Sequence, residues 1–103
     1  MDVIIQSLGF KASPDLEAFV REKLEKFDKE LNIIRANVTL FGSQSNSNDS
    51  YCEIRLEVPG NDLFVKRNSA SVEKAIADTI STLKLNVLKA KEKQFDRDHG
   101  SFK

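Results

Sequence analysis

The stretch SPDLEAFVREKLEKFDKEL, residues 13–31, decides the fold of this chain. Its hydrophobic residues recur at steps of three and four, which predicts a helix with one apolar stripe. Ser13 is a suitable N-cap, Pro14 fits the first helical position, and Asp15 complements the positive end of the helix dipole. We therefore predict a helix from Pro14 to Leu31. Its buried stripe is expected to comprise Leu16, Phe19, Val20, Leu24, Phe27 and Leu31.

Segments of alternating hydrophobicity lie on both sides of this helix. Residues 2–8 alternate around Val3 and Ile5, which predicts a first strand. A strand, a helix of this length and a second strand form a βαβ unit, so the first two strands are expected to be parallel. The inward residues of the second strand are expected to be Ile34, Ala36, Val38 and Leu40.

Two further strands and a second helix complete the pattern. After a polar loop over residues 42–50, a third strand is expected to bury Cys52, Ile54, Leu56 and Val58. Pro59-Gly60 has the residues of a type II turn, which predicts a hairpin to the fourth strand. A last helix is predicted from Ser71 to about Phe95. Its buried residues are expected to be Val72, Ile76, Ile80, Leu83, Val87 and Ala90.

The order β-α-β-β-β-α predicts a two-layer α+β domain over residues 1–95, followed by a short flexible tail at 96–103. Both helices are expected on one face of a four-stranded mixed sheet. The other face is left open, and it carries Ile4, Thr39, Phe41, Tyr51, Arg55, Phe64 and Lys66. The aromatic residues there suggest RNA stacking. Shielding of the sheet backbone is the better interpretation, because no aromatic-Gly-aromatic run is present.

Composition narrows the class of protein. The 103 residues carry 16 basic and 16 acidic side chains, which argues against a strongly cationic nucleic-acid binder but leaves local patches open. The absence of an 18-residue apolar run or an N-terminal secretory signal predicts no membrane span and no secretion. A single cysteine rules out an internal disulfide and fits a reducing cytoplasm.

Few residues suit catalysis. His99 is the only histidine and lies near the end of the chain without an evident partner. Cys52 alternates with apolar residues, which indicates a buried small hydrophobe and not a nucleophile. We therefore predict a protein that is not an enzyme, with no metal, no cofactor and no small-molecule substrate.

The two helices differ in charge. Residues 14–31 carry four basic and six acidic side chains, whereas residues 79–93 carry four lysines and one glutamate. The lysines have two interpretations: they complement the negative end of the helix dipole, or they form a strip that contacts phosphates. On the same helix, Leu85 and Leu88 are predicted to point away from the core, either without consequence or as a protein-contact patch.

Three stretches resemble the ribosome hibernation-promoting factors, also called the sigma-54 modulation or ribosome-associated inhibitor family. LEAFVREKLEKFDK (16–29) is similar to the family's first helix, EIRLEVPGNDLFV (53–65) to its hairpin, and AIADTISTLKLNVLKAK (75–91) to its last helix. The resemblance implies a short-form member that binds the small ribosomal subunit near the decoding region and inhibits translation. It implies contacts to 16S rRNA through basic side chains of the helices. The candidates are Lys23, Lys26, Lys89, Lys91 and Lys93.

The chain departs from the family pattern at two cationic positions of the last helix, where it has Thr82 and Leu85. Ribosome binding weaker than in other members is therefore expected. Two alternatives remain open: a divergent member that acts as a protein-interaction or self-association module through Leu85 and Leu88, and a structural relic without a ligand.

Overall fold

Four strands and two helices form the chain in the order that the sequence predicts. The computed structural model describes residues 1–44 and 47–100, with side chains described up to residue 92. The elements are β1 (Asp2–Leu8), α1 (Pro14–Asp28), β2 (Arg35–Phe41), β3 (Ser50–Glu57), β4 (Leu63–Ser69) and α2 (Val72–Gly100).

The sheet has the spatial order β1-β2-β3-β4. β1 pairs with β2 in parallel, as the βαβ interpretation predicted, and the two remaining pairings are antiparallel. Gly60 has a φ of 97°, the backbone conformation that the second central position of a type II turn requires. The predicted α+β class and the mixed four-stranded sheet are confirmed.

Local hydrogen bonds explain where α1 begins and ends. The Leu16 amide donates to Ser13 Oγ over 3.1 Å, so Ser13 is the N-cap of α1 as predicted. α1 ends at Asp28, earlier than the predicted Leu31, and the Asp28 carboxylate accepts a bond from the Ile33 amide at 3.1 Å. α2 continues to Gly100, beyond the predicted end near Phe95.

One apolar core joins the inward face of the sheet to both helices. It is formed by alternate residues of β2, β3 and β4 together with one stripe from each helix. Its largest fully buried side chains are Leu24, Leu40, Ile54, Leu56, Ile76 and Leu83. Both helices therefore cover the same face, as the apolar pattern predicted.

Two predicted core residues lie at the surface. Phe19 is 43% exposed because it lies about 140° around α1 from Leu24, and Lys23 Nζ covers its ring at 5.4 Å from the centroid. Ile34 is 60% exposed because it precedes β2. The loop bonded to Asp28 buries Ile33 in its place. Leu16, Val58, Ile80 and Ala90 are only partly buried.

The predicted open face is present. The register aligns Ile4, Asn37, Arg55 and Phe64 across the four strands, on the side opposite the core. All seven residues expected on this face lie there, and none is in the core.

Thr79 is a buried polar residue that the sequence pattern did not predict. Its side chain is fully buried on α2, and its hydroxyl lies 3.1 Å from the Cys52 carbonyl and 2.8 Å from the Ala75 carbonyl. The first contact joins α2 to the centre of β3. A hydroxyl in this position loses no hydrogen bond on burial and fixes the helix against the strand.

We expect Thr79→Val to lower the free energy of unfolding by about 1–2 kcal/mol, because the hydroxyl bond is lost while the side-chain volume is kept. Urea denaturation followed by circular dichroism measures this change. Thr82→Val, at a less buried position of the same helix, is the matched control and should change stability by less than about 0.5 kcal/mol. Equal stability of the two variants would show that the hydroxyl contact contributes nothing.

Candidate functional site

The sheet places the two helices side by side in the same direction. β1 and β4 run parallel to each other, and each is followed by a helix that returns across the same face. A groove with a volume of about 370 Å³ lies between the helices. We call it the inter-helix groove. Its lining residues are Lys23, Lys26, Phe27, Glu30, Ile80, Ser81, Lys84, Val87 and Leu88.

Three lysines from both helices meet at this groove. Lys23 and Lys26 come from α1, and Lys84 comes from α2. None of the three forms an ion pair within the described part of the chain. The floor beneath them is apolar, so the groove presents unpaired ammonium groups around a nonpolar base. Such an arrangement is suited to anions, including phosphate groups.

Lys91 has a partner in the fold. Its Nζ lies 2.5 Å from Glu30 Oε2, which bridges the two helices near the end of α1. Both side chains are partly exposed, so the pair adds little stability. Its main effect is to compensate the Lys91 charge, because the carboxylate is in direct contact with the ammonium group.

Lys89 faces another part of the surface. It lines a second cavity of about 320 Å³, together with the turn between β3 and β4 and with Asn86. The structure therefore brings Lys23 and Lys26 together, pairs Lys91 with an acid, and separates Lys89 from the groove. The side chain of Lys93 lies outside the described residues.

Lys84 belongs to the groove but was not among the sequence candidates. The signal for it was present in the helical period, because Lys84 precedes Leu88 by four residues and follows Ile80 by four. That spacing places Lys84 at the border of the buried stripe, on one side of α2. Which side faces α1 depends on helix packing, and the sequence alone does not give it.

Leu85 and Leu88 are exposed, as the helical period predicted. Their exposed fractions are 60% and 45%, and Leu88 also borders the inter-helix groove. Together they form an apolar surface that we call the outer leucine patch.

The aromatic residues of the open sheet face are engaged with neighbours. Phe41 and Tyr51 stack with centroids 5.3 Å apart, and Lys66 Nζ lies 4.3 Å above Tyr51. Arg55 lies 5.5 Å from the centroid of Phe64. These contacts cover the strands and occupy ring faces that bases would use, which favours the shielding interpretation.

The described residues offer no catalytic arrangement. Cys52 is fully buried, and burial raises the pKa of its thiol from 9.0 to about 12. The hydrogen bond with the Thr79 side chain lowers this pKa, and the Glu53 charge raises it by a smaller amount. No group of three or more potential metal ligands occurs among the described residues. The His99 side chain lies outside them. Within the same part of the chain, neither helix has the length and apolarity needed to cross a membrane.

Comparison with known proteins gives a consistent result. A family model described as "Sigma 54 modulation protein / S30EA ribosomal protein" matches residues 3–94. The N-terminal domain of Protein Y from Thermus thermophilus is similar in structure, with a TM-score of 0.71 and 20% sequence identity, over 84% of this chain and 96% of that one. A ribosomal subunit interface protein from Coxiella burnetii gives a TM-score of 0.76 at 17% identity, over 89% and 99%. No curated protein matches the chain. The resemblance drawn from the three sequence stretches is thereby confirmed.

We expect Cys52 to resist alkylation at pH 8 in the folded protein and to react completely in denaturant, because its thiol stays protonated and enclosed. The raised pKa also has a consequence for stability. Between about pH 9 and pH 12 the unfolded chain ionises this thiol while the folded protein does not, so stability falls as pH rises through this range.

Denaturation of the unchanged protein and of Cys52→Ala, at pH 8 and at pH 10, separates this effect from the titration of other groups. The unchanged protein should lose more stability between the two pH values than the variant does. An equal loss in both proteins would contradict the assigned pKa.

Proposed function

Because the chain belongs to the sigma 54 modulation protein / S30EA ribosomal protein family, we propose that it is a non-enzymatic factor that associates with ribosomes in the cytoplasm. We further propose that it binds the small subunit near the decoding region, contacts 16S rRNA through its helices and inhibits translation. The family match over residues 3–94 supports the ribosomal partner. The inter-helix groove supports the helical layer as the contact surface.

One observation carries the proposed contact. Lys23, Lys26 and Lys84 converge on the groove, and none of them forms an ion pair in the described part of the chain. Glu30 also lines the groove, and its carboxylate is paired with Lys91. Two packed helices fix the separations of the lysine backbones, so binding phosphates orders only the side chains and not the helices. Lys89 adds a separate phosphate contact from the far side of α2.

The salt dependence follows from this set of lysines. About four phosphate contacts give a slope of about −3 for the logarithm of affinity against the logarithm of salt concentration. Lys91 contributes less than its position in the sequence indicates, because Glu30 compensates its charge. Thr82 and Leu85 offer no charge where the family pattern has cations. We therefore propose weak binding that is easily reversed by salt.

A second function is favoured by the exposure of Leu85 and Leu88. Apolar side chains on an otherwise basic helix surface contribute nothing to phosphate binding, whereas they are typical of protein-contact surfaces. A protein-interaction module that uses the outer leucine patch is therefore the alternative to ribosome binding.

We expect the double variant Lys23→Glu with Lys84→Glu to lose ribosome binding by at least about tenfold at moderate salt, because two phosphate contacts become repulsive. Cosedimentation with 30S and 70S particles over a salt series measures this loss. Lys66→Glu reverses a charge on the open sheet face and is the matched control. It should leave binding unchanged.

If the control and the double variant lose binding equally, the groove is not the contact surface. Absence of cosedimentation by the unchanged protein even at low salt would overturn the proposed ribosome association itself.

We expect Glu30→Gln to strengthen ribosome binding, because it frees the Lys91 ammonium without adding a charge elsewhere. The salt slope should become steeper by about one unit, as one more phosphate contact forms. The same salt series measures it. Glu22→Gln, an exposed acid of α1 without an ion pair among the described residues, controls for the change in net charge. A similar gain from both variants would mean that net charge matters and that the Glu30–Lys91 pair does not.

A further inference from the structure

The outer leucine patch has no role in the fold. The opposite side of α2 is fixed in the core by Leu83 and Val87, which are 0% and 2% exposed. The helix therefore has no freedom to rotate Leu85 and Leu88 inward. Leu85 and Leu88 stay 60% and 45% exposed.

The charges around the outer leucine patch restrict which kind of partner can bind it. Lys84 and Lys89 flank the two leucines along α2, and neither has an acidic partner in the described part of the chain. A second copy of this chain would place its own lysines against them, which is unfavourable. A phosphate backbone would satisfy the lysines but leave both leucines without an apolar contact. A surface that combines carboxylates with apolar side chains satisfies both.

The inter-helix groove continues the combination of apolar and cationic side chains found at the outer leucine patch. Leu88 borders it, its floor includes Phe27, Ile80 and Val87, and Lys23 and Lys26 stand on the opposite rim. Patch and groove meet at Leu88 and together form an apolar surface with cations on both sides. The one acid that lines the groove, Glu30, is paired with Lys91. An amphipathic helix places apolar side chains on one face at steps of three and four, with charged side chains beside them.

We propose that the outer leucine patch and the inter-helix groove bind an acidic amphipathic segment of a partner protein. Its apolar side chains pack on Leu85, Leu88 and the groove floor, and its carboxylates pair with Lys23, Lys26 and Lys84. This inference rests on the second candidate function and not on ribosome binding. Where both functions operate, the segment covers the groove lysines, so partner and rRNA exclude each other.

A fluorescent model peptide tests the proposal directly. The probe is a helical peptide with leucines at steps of three and four on one face and glutamates elsewhere, and its binding is measured by fluorescence anisotropy. A second peptide with serine in place of each leucine keeps the charge. We expect binding of the first peptide only, and a loss of at least about tenfold in the double variant Leu85→Ser with Leu88→Ser. Ile34→Ser removes an equally exposed residue elsewhere and is the matched control.

Leu85→Lys separates this proposal from ribosome binding. The new charge should attract a purely electrostatic ligand, so the variant should bind ribosomes more tightly while it binds the leucine-glutamate peptide several-fold less tightly. If the substitution strengthens binding of the peptide, charge alone drives the association and the proposal is wrong.

Four further outcomes would overturn the proposal. In the first, the leucine-glutamate peptide fails to bind the unchanged protein, and in the second it binds the double serine variant equally well. In the third, analytical ultracentrifugation detects self-association that the double serine variant abolishes, which would assign the patch to a second copy of the chain. In the fourth, the double serine variant loses ribosome binding while it retains peptide binding, which would place the leucines in the ribosome contact.

Discussion

Only one face of the sheet carries the residues of the buried core, and the arrangement of the described structure depends on that constraint. Alternation along β2 and β3 directs Ala36, Val38 and Ile54 to one side, so both helices must cover that side or leave their own stripes in water. Because β1 and β4 run in the same direction, the helices that follow them also run in the same direction. Two parallel helices packed on one face meet along a groove. Side chains from both helices share the cavity at that groove.

Packing decides which lysines remain available on this helical surface. Residues 14–31 carry a net charge of −2, so a lysine of α2 can be paired or left free by the local arrangement of that segment. Lys91 lies beside Glu30 and is paired, whereas Lys84, about two turns earlier, lies beside Lys23 and Lys26 and is not. The neutral total of the chain therefore conceals a surface whose charge changes from turn to turn. Affinity for an anion depends on this local arrangement more than on net charge.

Much of the fold could be predicted because each signal was local. Alternation fixed the strands, Ser13 marked the start of α1, and Pro59-Gly60 marked the hairpin. One error arose where a contact outside the strand overrode the pattern, because the Asp28 bond to the Ile33 amide left Ile34 outside. The other was local, because Phe19 lies at the edge of the helical stripe, about 140° around α1 from Leu24. The candidate site was less predictable, because it joins residues about sixty positions apart. Neither the Glu30–Lys91 pair nor the place of Lys84 in the groove follows from periodicity on a single helix.

The outer leucine patch and the groove lysines favour different groups on a ligand, namely apolar side chains and anions. Phosphates bind most strongly to ammonium groups that they can approach freely. An exposed leucine among those groups makes no favourable contact with a phosphate. An apolar segment that carries carboxylates can use both features. Its ion pairs with the lysines become stronger when neighbouring apolar contacts exclude solvent. A cation in place of Leu85 would add a phosphate contact, whereas Leu85 and Leu88 add apolar contacts that an acidic protein segment can use. We therefore expect the balance between RNA and an acidic protein at this surface to depend on these two leucines together with the groove lysines.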